Sequence, residues 1–189
     1  MPSILVTPPA AEPLTLAEAK AWLRVEHDDD DAVIGVLITS ARSLVEQETR
    51  RALITQGWRI VRDAWPAGGR IEVAPAPVRQ VLAARVYDAA GIGQAIDATL
   101  FTLATGGAPG MLGFLPGSLP APGRAIAGIE IDIEVGYGAD ASAIPEPLRQ
   151  AIRLLVAHAY ENRGAETAGN ARMPPTAAAL IAPYRVLTL

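Results

Sequence analysis

The residue types that most often do chemistry are scarce in this chain. There is no cysteine, which excludes thiol nucleophiles, disulfides and thiolate metal sites. The two histidines are His27 and His158. His158 precedes Asn162 by one helical turn and has no second histidine near it in sequence, so it reads as a packed or hydrogen-bonding group rather than a ligand or base. His27 lies in the densest acidic run, Glu26-His27-Asp28-Asp29-Asp30-Asp31. A calcium loop starting at Asp28 would need glycine at its sixth position and glutamate at its twelfth, where Val33 and Thr39 stand. The run fits better as an N-cap followed by acids at the positive end of a helix.

Other constellations fail in similar ways. No serine occupies a G-x-S-x-G elbow. Gly106-Gly107-Ala108-Pro109-Gly110 lacks the Walker lysine and opens no helix, and Gly91-Ile92-Gly93 lacks the third glycine of a dinucleotide fingerprint. Gly136-Tyr137-Gly138 ends a strand without a phosphate-binding continuation. Glu130, Asp132 and Glu134 alternate along a strand, a spacing that suits a solvated acidic face better than a metal site. The expectation is a protein that is not an enzyme, with no catalytic residues, no metal and no cofactor.

Composition narrows the field further. The 189 residues suffice for one domain with an insertion or two small ones. Charged residues make up 19% and hydrophobic residues 50%, much of the latter alanine. This composition fits either an alanine-biased codon usage or a surface partly covered by neighbouring subunits. With 16 basic and 20 acidic residues, the net charge is −4, and no basic footprint for gripping nucleic acid is present. No apolar run approaches the roughly 18 residues of a membrane span, and no signal-peptide pattern opens the chain, so it is expected to start in the cytoplasm.

The elements follow from periodicity. Residues 1–13 carry three prolines and read as an extended arm. Thr15 and Glu18 form a capping-box pattern for a helix to about Val25, with Leu16, Ala19, Trp22 and Leu23 on one face. A second helix over about 29–51 has the stripe Val33, Ile34, Leu37, Ile38, Ala41, Leu44 and Val45. From Ile54 the period shortens, with strands predicted over 56–62, 70–73, 78–87, 101–103 and 128–135 and a Gly/Pro-rich loop over 106–123. Pro145 and Pro147 then start a long helix ending at Gly164, whose core positions are Leu148, Ile152, Leu155 and Ala159. A polar linker over 165–172 leads to a short helix, Thr176–Ile181, and a strand-like hexapeptide, Tyr184-Arg185-Val186-Leu187-Thr188-Leu189.

In this order, several segments resemble the head–tail connector (adaptor, or head-completion) family of tailed phages and phage-derived gene transfer agents. They are PLTLAEAKAWLRVEHDDDDAVIGVLITSARSLVEQETRRAL (13–53), ITQGWRI (54–60), IEVAPAPVRQV (71–81), VGYGADASAIPEPLRQAIRLLVAHAYENR (135–163) and APYR (182–185). The resemblance implies an α+β fold, a three-helix bundle with an inserted β-rich subdomain between the second and third long helices and extended N- and C-terminal arms. The parts would be an N-terminal arm (1–13), a helical hairpin (14–53), the β-subdomain (54–138), the long helix (139–164) and a C-terminal tether and arm (165–189).

It also implies a structural virion-type protein without catalysis. The chain would form a ring, normally of twelve subunits, between the portal and a downstream neck or tail-completion protein, and DNA would pass through its channel without sequence-specific binding. It would sit at the head–tail junction of a phage or gene-transfer-agent particle after assembly in the cytoplasm. Residues 184–189 are expected to be the portal-binding arm, because a free strand can add to a partner's sheet edge, the alternative being that they fold back as an edge strand or cover on their own subunit. The alternative is a small-molecule-binding or accessory enzyme domain with a pocket in the β-subdomain.

Overall fold

The structure is a computed structural model that describes residues 3–104, 109–162 and 173–186. These residues hold four α-helices and two antiparallel sheets, an α+β chain. They separate into two compact units. One takes the described residues of Met1–Ala10 and Thr55–Tyr137, the other those of Ala11–Ile54 and Gly138–Leu189.

The first unit is built on eight strands: β1 (Ser3–Thr7), β2 (Gln56–Arg62), β3 (Arg70–Val73), β4 (Val78–Tyr87), β5 (Gly93–Ile96), β6 (Thr102–Ala104), β7 (Gly110–Gly113) and β8 (Ile129–Val135). Five of them form a sheet in the order β1-β2-β8-β4-β5, and the other three form a sheet in the order β3-β7-β6. The central strand β8 has the sharpest alternation in the chain. Ile129, Ile131, Ile133 and Val135 are fully buried, while Glu130, Asp132 and Glu134 point to the opposite face. Ile60 from β2 and Ala84 and Val86 from β4 join them, and Ile71, Val73 and Leu112 bury the smaller sheet. Trp65, Phe101 and Phe114 cluster with ring centroids 5.2–6.4 Å apart, and the Trp65 indole donates a 2.8 Å hydrogen bond to the Pro120 carbonyl.

The turn before β3 requires a glycine. Gly69 has φ +63°, and a Cβ there would lie 2.4 Å from the Phe114 carbonyl oxygen. Two sequence expectations change in this unit. Ser3–Thr7 is the edge strand of the larger sheet rather than a free arm, because its backbone pairs antiparallel with β2. Part of the Gly/Pro-rich stretch, Gly110–Gly113, is the central strand of the smaller sheet.

The second unit contains α1 (Leu16–Leu23), α2 (Asp31–Thr49), α3 (Glu146–Glu161) and α4 (Pro175–Ile181). Thr15 and Glu18 make both hydrogen bonds of a capping box at the start of α1. α3 is central and packs on the other three helices. Its Leu148, Ala151, Ile152, Leu155 and Val156 are buried. Ala159, read as core from its spacing, is exposed instead, because Val156 takes the inward position on that turn. α4 also belongs to the core, with Ala177 and Ile181 fully buried, so this unit has four helices where the sequence suggested a bundle of three.

Candidate interaction surfaces

Asn162 lies one turn from His158, with 3.2 Å between its side-chain nitrogen and His158 Nδ1, and His27 is largely exposed, 3.8 Å from Asp29. Among the described residues, no three His, Asp or Glu side chains gather where they would hold a metal ion. Gly91 closes a turn at φ +82°, and Gly93 begins β5.

The acidic run Asp28–Asp31 links helices. Lys20 of α1 reaches Asp28 at 2.5 Å and Asp31 at 2.7 Å, which raises the lysine pKa and lowers that of Asp28. Asp30, at the N-cap of α2, makes no side-chain capping bond; its carboxylate accepts the Tyr160 hydroxyl of α3 at 2.5 Å. On the other side, Arg149 of α3 donates to Glu18 and to the Pro13 carbonyl, tying α3 to the start of α1. These acids therefore hold α1, α2 and α3 in register.

The acidic strand face differs most from the sequence reading. Adjacent strands supply an arginine to each carboxylate. Arg59 of β2 donates two hydrogen bonds to Asp132, at 2.6 and 3.0 Å, and lies 3.3 Å from Glu130. Arg85 of β4 donates to Asp132 at 3.0 Å, and Arg79 to Glu134 at 3.0 Å. Tyr87 donates its hydroxyl to Glu130 at 2.9 Å, while Arg124 stacks 5.0 Å from the Tyr87 ring centroid. The hydrogen bond from Arg59, helped by Arg85, holds Asp132 below the ordinary carboxylate range, and the bond to Glu130 raises the Tyr87 pKa. This face is a ladder of paired opposite charges rather than a solvated acidic surface. Sequence periodicity located the carboxylates but could not show which distant strands supply their partners.

The C-terminal residues also differ from expectation. Ala182–Tyr184 forms a 3₁₀ turn, not a strand. Arg51 at the end of α2 donates a 2.6 Å hydrogen bond to the Tyr184 carbonyl, and Arg185 pairs with Glu48 at 2.5 Å. The Val186 N–H reaches the Thr49 carbonyl at 3.1 Å and its side chain is buried. Tyr184, Arg185 and Val186 are thus fastened to the C-terminus of α2, whose last carbonyls need donors. Leu187, Thr188 and Leu189 lie outside the described residues, as does the linker over 165–172.

Several large apolar side chains are also exposed. In the sheet unit, Ile4, Leu5 and Val6 are exposed along β1, and Ile92, Leu115 and Ile126 are exposed in loops. In the helical unit, Trp22, Val33 and Val36 stand out on α1 and α2, although spacing had placed Trp22 and Val33 on buried stripes. The β1 surface was missed at the sequence level, but its β-branched Ile4, Val6 and Thr7 were a usable strand signal. No helix among the described residues is long and apolar enough to cross a membrane.

The described residues thus form an α+β fold with exposed apolar side chains in both units. The family model described as "Phage gp6-like head-tail connector protein" matches residues 13–87. A chain in the neck of an empty gene transfer agent (GTA) particle, computed with C6 symmetry, is similar over 100% of this chain and 97% of its own, with 32% identity and a TM-score of 0.86. A chain in the virion of a native GTA particle gives 32% identity with the same coverage and a TM-score of 0.85. Another, in the neck of a native GTA particle computed with C12 symmetry, gives 33% identity and a TM-score of 0.82, again over 100% and 97% of the two chains. No curated protein matches the chain. The chain belongs to the phage gp6-like head-tail connector family.

Proposed function

We propose that this protein is a ring-forming adaptor at the head–tail junction, joining a portal to a downstream neck or tail-completion protein and continuing the DNA channel. The observation that carries this reading is similarity along the whole chain to proteins in GTA necks computed with C6 and C12 symmetry. Such rings use the same surfaces on every copy, so open apolar patches become shared interfaces. A ring of twelve copies fits the C12 neck. The helical unit serves as the scaffold for an inserted β-rich part, and catalysis plays no role. Assembly takes place in the cytoplasm, before the ring enters the particle.

The channel surface would let DNA pass without gripping it. A phosphate backbone is held by clustered cations, and Arg59, Arg79 and Arg85 are already paired with carboxylates. The C-terminal residues would contact the portal, with Tyr184–Val186 as the fixed root and Leu187, Thr188 and Leu189 as the contact. Purified protein, alone and mixed with the portal, is the test, using light scattering and negative-stain microscopy. The expected result is a ring that co-sediments with portal; a monomer that never joins portal would refute the adaptor reading. Deleting residues 187–189 leaves the anchored root intact, so that variant should stay folded and lose portal binding. Retained binding would show that the contact lies elsewhere.

A further inference from the structure

β1 is an edge strand. Among the described residues it pairs only with β2 and ends the five-stranded sheet, and Ile4, Leu5 and Val6 are 50%, 44% and 51% exposed. Successive strand residues point to opposite faces, so large apolar side chains are open on both sides of the strand. Free edges are normally blunted by lysine, proline, an inward charge or a bulge; Ser3–Thr7 contains none of the first three, and its register shift lies between Leu5 and Thr7, leaving Ser3–Leu5 regularly paired. Such an edge fits an extended backbone that takes up its outward N–H and C=O groups and offers apolar contact on both faces.

We propose that β1 of each copy pairs with β5 of the next copy around the ring, extending the sheet from subunit to subunit. This inference rests on the ring reading above. In a ring with purely cyclic symmetry the contacts are heterologous, so β1 cannot pair with another β1 and must meet a different surface. β5 is the opposite edge of the same sheet, and its Gly93, Gln94 and Ala95 are exposed.

Facing and direction are compatible with that pairing. Every neighbouring pair in the order β1-β2-β8-β4-β5 is antiparallel, so β1 and β5 run the same way and the new junction is parallel. Ile4 lies opposite Arg59 and Arg59 opposite Asp132, while Ala95 lies opposite Arg85 and Arg85 opposite Glu130. Because Glu130 and Asp132 share a face, Ile4 and Ala95 also share it, a bulky side chain and a small one two residues apart in level. A parallel junction of so few residues is weak by itself. Closure of the ring makes many such junctions act together.

The absence of native cysteine makes cross-linking clean. Rings of the double variant Ile4→Cys/Ala95→Cys are treated with oxidant or a short bis-maleimide and resolved on denaturing gels. The expected result is a ladder rising from dimers to large multiples. An equal mixture of the two single variants should stop at dimers. Rings that form but give no ladder would overturn the edge pairing and leave the ring reading intact. Dimers from Ile4→Cys alone, at the yield of the mixture, would overturn it in favour of β1 against β1. Leu5→Lys offers a second test on an exposed position. It should leave the melting temperature unchanged and reduce the ring fraction at least tenfold at a concentration where the wild type is assembled. An undiminished ring would also overturn the proposal. A wild-type chain that stays monomeric with and without portal would overturn both inferences.

Discussion

Ile152 is fully buried on α3, so cutting its side chain back leaves a cavity that water does not fill. Ile152→Ala should destabilise the helical unit by about 2–5 kcal/mol, read as a lower denaturant midpoint. Ala159→Ser, on the exposed side of the same helix, should leave that midpoint in place. Asp132 makes a pH-dependent contribution. Its pKa is lowered in the folded protein, first by the hydrogen bond from Arg59, so the folded state binds fewer protons than the unfolded state in acid. The stabilisation is present above the unfolded carboxylate value of about 3.9 and is lost as pH falls through the lower folded value. Asp132→Asn should therefore reduce stability at neutral pH and flatten its decline below about pH 4. The effect should be modest because the ladder is partly solvated. Urea titrations at several pH values test this, and parallel wild-type and variant profiles would contradict it.

At the scale of elements, α1 depends on its start signal. It has eight residues, too few to be stable alone, and the Thr15 hydroxyl accepts the Glu18 N–H while the Glu18 carboxylate accepts the Thr15 N–H. Thr15→Ala should cost about 1 kcal/mol, measured as a shift in the same unfolding transition. α4 is another element the fold depends on. From the sequence, residues 165–189 look like a removable tether and arm. The burial of Ala177, Ile181 and Val186 assigns part of that segment to the helical core. Deleting 165–189 should therefore lower the melting temperature markedly, while deleting only 187–189 should leave it unchanged. A full deletion that melts like the wild type would show that α4 adds little.

For the whole molecule, the balance of charge matters more than any single group. The chain carries a net charge of −4, and the arginines of the sheet face already have carboxylate partners. The protein should not retard duplex DNA in a gel-shift experiment at physiological salt, because a binder gains affinity by releasing phosphate counterions to free cations. Salt-sensitive binding at micromolar concentration would show an unpaired basic surface. Assembly should be driven mainly by apolar contact, so ring formation should survive moderate salt.

Much of the local structure was legible because its causes are local. The Thr15–Glu18 capping box acts within one turn, the alternation over 129–135 records one buried face, and Pro145 and Pro147 mark a helix start. The order of these segments was also enough to suggest the family. The missing parts depend on residues far apart in the chain. Asp132 is paired with Arg59 and Arg85, which come from two other strands, and β1 is a strand because β2 lies beside it. Ala159 is exposed and Val156 buried because several helices, not one, surround α3. Tyr184–Val186 had the residue types of a strand but was captured by the donors and acceptors at the end of α2. Periodicity and caps determined where helices and strands begin because those forces act over a few residues. Which charges are paired, which edge stays open and which terminal residues are fastened down were decided by tertiary packing, since only folding brings those groups within hydrogen-bond range.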